Sequence, residues 1–244
     1  MENEIIEGKL SFGEKVKCFF INPTRYFKQY KEKPKFGLMF VIISIVTLIC
    51  QIITYVISHD KYSQYVEGYY KSVGIQQSQM DLSIKIANAS QLVGAILSPL
   101  GVLVPILLVA LIFFLLNKAF KGKATYPQMV SVCAHAAIIQ LFYIIFVTIH
   151  LLITKNVENP FDFKTLLSFS NIFSKYVNVF SIWKLVVTIF GVSAVSEIPK
   201  KKSVIIVVLV FLLGFVYTFG QASISKSTVK NQPSIQSSTT TTEK

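Results

Sequence analysis

The chain is poor in charge, and poorer still in acid. Asp and Glu number 12 against 24 Lys and Arg in 244 residues, and all four together make up only 15%. A soluble domain carries roughly 25% charged residues, so there is too little polar surface here to coat a water-soluble fold. Cysteine and histidine number three each. Cys18, Cys50 and Cys133 follow no ligand spacing, which excludes a disulfide framework and a zinc site and leaves them as packing residues. A Gly-rich phosphate loop, a His-Glu-x-x-His pair, a nucleophile elbow and paired intramembrane carboxylates are all missing. Hence no catalytic, cofactor-binding or metal-binding residue is assigned, no cofactor is implied, and the chain reads as a non-enzyme. A cleavable signal peptide is not expected either, because the first apolar run starts too far in and is too long.

What the chain has is apolar length. Hydrophobic residues make up 52%, and mean hydropathy is +0.57. Five runs are candidate membrane spans: residues 37–58, 91–117, 129–153, 177–198 and 203–221. A helix rises about 1.5 Å per residue, so each covers most or all of a hydrocarbon core of about 30 Å. The fold class is therefore an all-α integral membrane protein, with five transmembrane helices in one bundle. The second run contains Pro99, Gly101 and Pro105 and is expected to kink or break near its middle. The fourth is the weakest, interrupted by Lys184; if it fails to cross, four spans remain. Only Pro199 and three lysines separate the fourth from the fifth, which predicts a tight antiparallel hairpin.

The formal charge of +12 raises the question of nucleic acid. The Lys and Arg are gathered in short segments between apolar runs, so they read as topology signals and contacts to anionic lipid headgroups, with no nucleic-acid partner. Fourteen lie before the first span, between the second and third, and between the fourth and fifth; nine lie on the other side. The positive-inside rule then puts the N-terminus in the cytoplasm and, with five spans, the C-terminus outside.

Outside the spans, residues 1–36 form a basic segment. Within it Leu10, Val16, Phe19, Phe20, Tyr26, Phe27 and Tyr30 share an apolar side, the pattern of an amphipathic helix lying in the headgroup layer or docking a partner. Asn22-Pro23 has the form of an N-cap followed by a first-turn proline. The stretch 59–90 reads as an external loop whose tyrosines mark the headgroup level. Its Ser78 and Asp81 have capping-box spacing, which predicts an early start for the second helix. Asn88-Ala-Ser90 matches a glycosylation sequon, a pattern with many unmodified occurrences. Residues 155–176 predict a further interfacial helix, and the Ser/Thr-rich stretch 222–244 a disordered tail.

A few polar residues inside the spans stand out. Lys184 allows three readings: snorkelling to the headgroups beside Trp183, a contact for a partner or substrate, or a break in the helix. Glu197 reads as a surface charge paired near Lys200 and Lys201. His135 and His150 read as packing residues, and Gln51, Gln91 and Gln140 as hydrogen-bonding ties between helices.

The order of these features resembles a known family. Asn22-Pro23-Thr-Arg-Tyr-Phe27 and Pro34 lead into the first span. Pro105 lies in the second, which ends in the basic linker Phe120-Lys-Gly-Lys-Ala-Thr-Tyr-Pro-Gln128. Met129-Val-Ser-Val-Cys-Ala-His-Ala137 opens the third, and Trp183-Lys-Leu and Phe190-Gly191 follow. Across residues 18–221 this is similar to bacterial proteins of the Yip (Ypt-interacting protein) domain family. One departure is Ile138-Ile139-Gln140, where many members carry a proline. The resemblance implies five helices and a cytoplasmic N-terminus. It also implies an adaptor role: eukaryotic relatives act in vesicle trafficking with small GTPases, and some bacterial relatives accompany ABC-type exporters.

The functional expectation is a non-enzymatic adaptor or assembly/regulatory partner of a membrane complex in a bacterial cytoplasmic membrane, the resemblance suggesting an ABC-type exporter as that partner. The competing expectation is a small transporter or channel built on the broken second helix. Candidate residues across the two readings are Pro99, Gly101, Pro105, Gln140, Trp183, Lys184 and Gly191.

Overall fold

Asn22 makes the first corner of the molecule. Its backbone N–H bonds to the Cys18 carbonyl and ends helix α1 (Phe12–Ile21), while its side chain accepts from the Arg25 N–H and starts α2 (Pro23–Glu32). Pro23 fills the first position of α2, where no N–H is needed. Ser11 and Glu14 cap α1 reciprocally. The computed structural model describes residues 11–155 and 178–230, with the backbone alone for 219 and 221–230. The expected interfacial helix in the 155–176 stretch and the last part of the Ser/Thr-rich tail lie outside the described residues.

Five long helices follow: α3 (Gly37–Ser72), α4 (Gln77–Ala119), α5 (Tyr126–Thr154), α6 (Val179–Ser196) and α7 (Lys200–Lys230). Among the described residues, these five are long and apolar enough to cross a membrane, α7 through Lys200–Thr218. The protein is an all-α multi-pass membrane protein. α5 is the central helix, in contact with α2, α3, α4 and α6. Its stretch from Met129 to Ala137 is buried without interruption. Small side chains there (Ser131, Ala134, Ala136, Ala137) let neighbouring helices come close, the usual basis of helix packing in lipid.

The structure differs from the sequence reading in four places. Of the kink or break expected in α4, the break does not occur: the helix runs through Pro99 and Pro105. Each proline removes one hydrogen bond, but in a lipid environment leaving the helix altogether would expose many more backbone groups, so the ladder continues around them. The stretch 59–90 is not a loop: α3 and α4 extend through it as a helical hairpin, closed at Gly74 with φ +72°. At 36 and 43 residues the two helices are about 54 and 65 Å long, well beyond a hydrocarbon core of about 30 Å. The early start expected of α4 is found, at Gln77, but its N-cap is Gln76; Ser78 and Asp81 form no box, and Asp81 instead accepts from Gln77. Finally, α7 continues to Lys230, past the expected end at residue 221. Within the hairpin the sequon Asn88 accepts a hydrogen bond from Ser63 across the two helices (3.1 Å).

Candidate functional site

Two regions gather the polar and close-packed residues. The first is the basic end, where three connectors meet: residues 33–36, 120–125 and 197–199. Glu197 terminates α6 in a left-handed conformation (φ 56°), which turns its side chain away from the helix. Its carboxylate pairs with Lys123 at 2.8 Å and with Lys31 at the end of α2. The hydrogen bonds from Lys123 and Lys31 hold the Glu197 carboxyl down at about 2, and the same bond raises the Lys123 ammonium. These partners replace the expected Lys200 and Lys201. Lys200 lies over the Phe190 ring instead (4.9 Å).

Backbone groups tie the same connectors together. The last carbonyls of a helix have no internal donor. Here the Lys123 N–H bonds to Ser196 O at the end of α6 (3.0 Å), and Gln128 donates to Lys31 O at the end of α2. Ser131 Oγ reaches Lys35 O (3.0 Å) and Ser203 Oγ reaches Ile189 O (2.6 Å). Gly122 sits so tightly against Asn117 that a Cβ would fall 1.8 Å from its side-chain oxygen.

Below this clasp, α2 packs its aromatic side against α5 and α6. Phe27 is fully buried, and Tyr26 and Tyr30 nearly so. Gly191 makes room for this approach. A Cβ on it would meet Val132 Cγ1 at 2.7 Å and the Phe27 ring at 3.1 Å. His135 donates from Nδ1 to Ser131 O (2.6 Å) and lies against the Tyr30 ring, centroids 4.3 Å apart. Burial raises both phenols, Tyr26 and Tyr30, so they stay neutral. The face read as a headgroup anchor is thus used against protein in α2. Of the two, α1 keeps apolar side chains exposed, at Phe12, Val16, Phe20 and Ile21.

The second region is a cavity of about 480 Å³ bordered by α3, α4, α5, α6 and α7. It brings together four sequence candidates: Gly101, Pro105, Gln140 and Lys184. Pro99, Trp183 and Gly191 are not among its lining residues. Trp183 meets Phe20 of α1 with the rings tilted at 45° (centroids 5.1 Å apart), and Gly191 belongs to the α2 dock. α6 passes through Lys184 without a break. The lysine is half-buried and lines the cavity. Gln91, expected to tie helices together, has its side-chain oxygen buried without a partner.

Sequence reasoning missed the α2 dock and the Glu197 pairs. Phe27 and Gly191 carry no local mark of belonging together, and Lys31 and Lys123 look like any other interfacial lysines. Among the described residues no group of three His, Cys, Asp or Glu side chains is placed to hold a metal ion, and the three cysteines are free and buried.

A family model described as Yip1 domain matches residues 17–220 of the chain. No curated protein and no solved structure gives a significant match.

Proposed function

The chain belongs to the Yip1-domain family, and from that premise we propose that it acts without catalysis, as an adaptor or assembly partner of a membrane complex. The observation that carries this reading is the basic end. Three distant parts of the chain are tied there into one surface by Glu197, Lys31, Lys123 and Gln128. Arg25 and Lys28 on the adjoining α2 are exposed, as are apolar side chains of α1. A rigid, basic surface of this kind suits docking against an acidic protein face or anionic headgroups. The finer reading is an ABC-type exporter as partner, in a bacterial cytoplasmic membrane, with the basic end inside and the C-terminus outside.

Purification of the intact protein in mild detergent tests this. The expected result is a membrane protein recovered in stoichiometric amount, and its loss when Gly191→Leu forces α2 off the bundle. Recovery of the chain alone sinks the reading. Reporter fusions at each terminus test the orientation, and a C-terminus on the basic side would overturn it.

The cavity favours a second reading, a small transporter or channel. Its walls are mostly aliphatic and aromatic, and α4 offers no broken segment of the kind that lines transport sites. Those two facts support the adaptor reading first. Passage of a water-soluble dye or ion through reconstituted vesicles would reverse the order.

A further inference from the structure

We propose that the cavity is a binding site for one anionic amphiphile, its charged head against the Lys184 ammonium and its acyl chain along the aliphatic wall. The inference stands apart from the adaptor reading and neither depends on the other.

The need for an anion comes from Lys184. A lysine within a membrane-spanning helix is costly to insert, and such residues are retained where they meet a counter-charge or water. No carboxylate among the described residues lies within ion-pair distance of it. Gln140, on the facing helix α5, borders the same space and offers a donor and an acceptor beside the charge.

The need for a chain comes from the walls. Ile106, Val109 and Phe113 on α4 face Val207 and Val210 on α7 across the cavity. Such surfaces suit an acyl chain and would not hold a hydrated ion. The volume, about 480 Å³, lies within the range of roughly 300–1,000 Å³ typical of small-molecule sites. It does not admit a partner's helix, which with its side chains is about 10–12 Å across. Access is sideways. Gly101 and Pro105 stand exposed at the rim, and a Cβ on Gly101 would meet nothing within 4 Å. A lipid chain can enter there without leaving the bilayer.

The head can be the carboxylate of a free fatty acid or the phosphate of a phospholipid. Native mass spectrometry of the full chain in an uncharged detergent separates them, with palmitate, phosphatidylglycerol and hexadecanol as probes. Hexadecanol matches palmitate in length and lacks its charge. One anion or both should bind one to one, at least about tenfold more tightly than hexadecanol, the scale of a hydrogen bond to a charged group. Palmitate alone marks a free acid, and phosphatidylglycerol alone a membrane phospholipid. In Lys184→Gln the preference should fall below about threefold while hexadecanol binding persists, and Lys184→Arg should restore it. Lys123→Gln, at the distant basic end, should change nothing. Equal binding of charged and uncharged probes, no binding of either anion, or a preference undiminished in Lys184→Gln overturns the proposal. Should Lys184→Gln not fold, Gly101→Phe serves instead: it closes the rim and must abolish anion binding, and undiminished binding would overturn the site.

Discussion

The two ends of this bundle are built on opposite principles. At the basic end, connectors far apart in sequence are joined by ion pairs, by side chains on helix carbonyls, and by glycines with no room for a methyl group. Around the cavity the same five helices leave space, and Gly101 has room around it. Both regions contain a helical glycine and a buried phenylalanine, so equivalent substitutions compare them directly. The difference teaches that lipid tolerates a gap between helices where a ligand chain can fill it. A surface meant to hold one shape in water ties its connectors to one another through ion pairs and helix-end carbonyls.

The largest effect is expected from the phenylalanines. Phe27→Ala removes a fully buried ring from the α2 dock and should cost about 3–5 kcal/mol, the usual range for such truncations. Phe113→Ala borders a space that already exists, and its cost should fall at or below the bottom of that range, about 3 kcal/mol. Denaturant titration of the purified protein measures both. Limited trypsin digestion adds a local readout, since release of α2 exposes Arg25 and Lys28 to cleavage. Equal costs at the two positions would erase the comparison.

The glycines come next and differ in sign. Gly191→Ala places a methyl 2.7 Å from Val132 Cγ1, and overpacking of this kind costs about 1–3 kcal/mol. Gly101→Ala meets open space and should be neutral or stabilising by up to about 1 kcal/mol, through the better helix propensity of alanine. Thermal unfolding midpoints in detergent decide it: one should fall and the other hold or rise. A fall at both positions would mean that the cavity is closed in solution.

How much of this could be read from the residues alone depends on whether the signal is local. A helix that crosses lipid must be apolar for about 20 residues, so α3, α5 and the first part of α7 announce themselves. The Asn22-Pro23 corner is equally local. Capping-type spacing at Ser78 and Asp81 pointed to the early start of α4, but the continuation of α3 to Ser72 was hidden, because hydropathy detects lipid contact and not helix, and residues 59–90 are polar. The aromatic side of α2 has one periodicity, and that periodicity fits a headgroup layer or a protein groove equally well. The choice was made by Gly191 and Val132, on helices far along the chain. Likewise Gly101, Pro105, Gln140 and Lys184 each stood out, but their meeting around one cavity depends on how three helices, α4, α5 and α6, are rotated. A single sequence does not display that rotation.

The smallest effect is electrostatic and gives the finest test of the clasp. Glu197 titrates at about 2 in the folded protein, against a usual value of 4.5. Between those two pH values the unfolded chain takes up a proton that the folded protein refuses, so stability falls as the pH drops through that window. Above about 4.5 the contribution is complete, and below about 2 it is gone. The carboxylate is partly exposed to solvent, so the effect is a modest slope and not a collapse, and salt should weaken it further. Glu197→Gln removes the charge and keeps the shape. It should lower stability slightly at neutral pH and flatten the slope between pH 4.5 and 2, leaving whatever acid sensitivity the other carboxylates confer. Lys184→Gln, in the cavity, should leave that slope as it is in the parent protein. Unfolding midpoints measured for all three proteins across this range separate the two regions: a slope unchanged in Glu197→Gln would mean that the three connectors are held together by their backbone bonds alone.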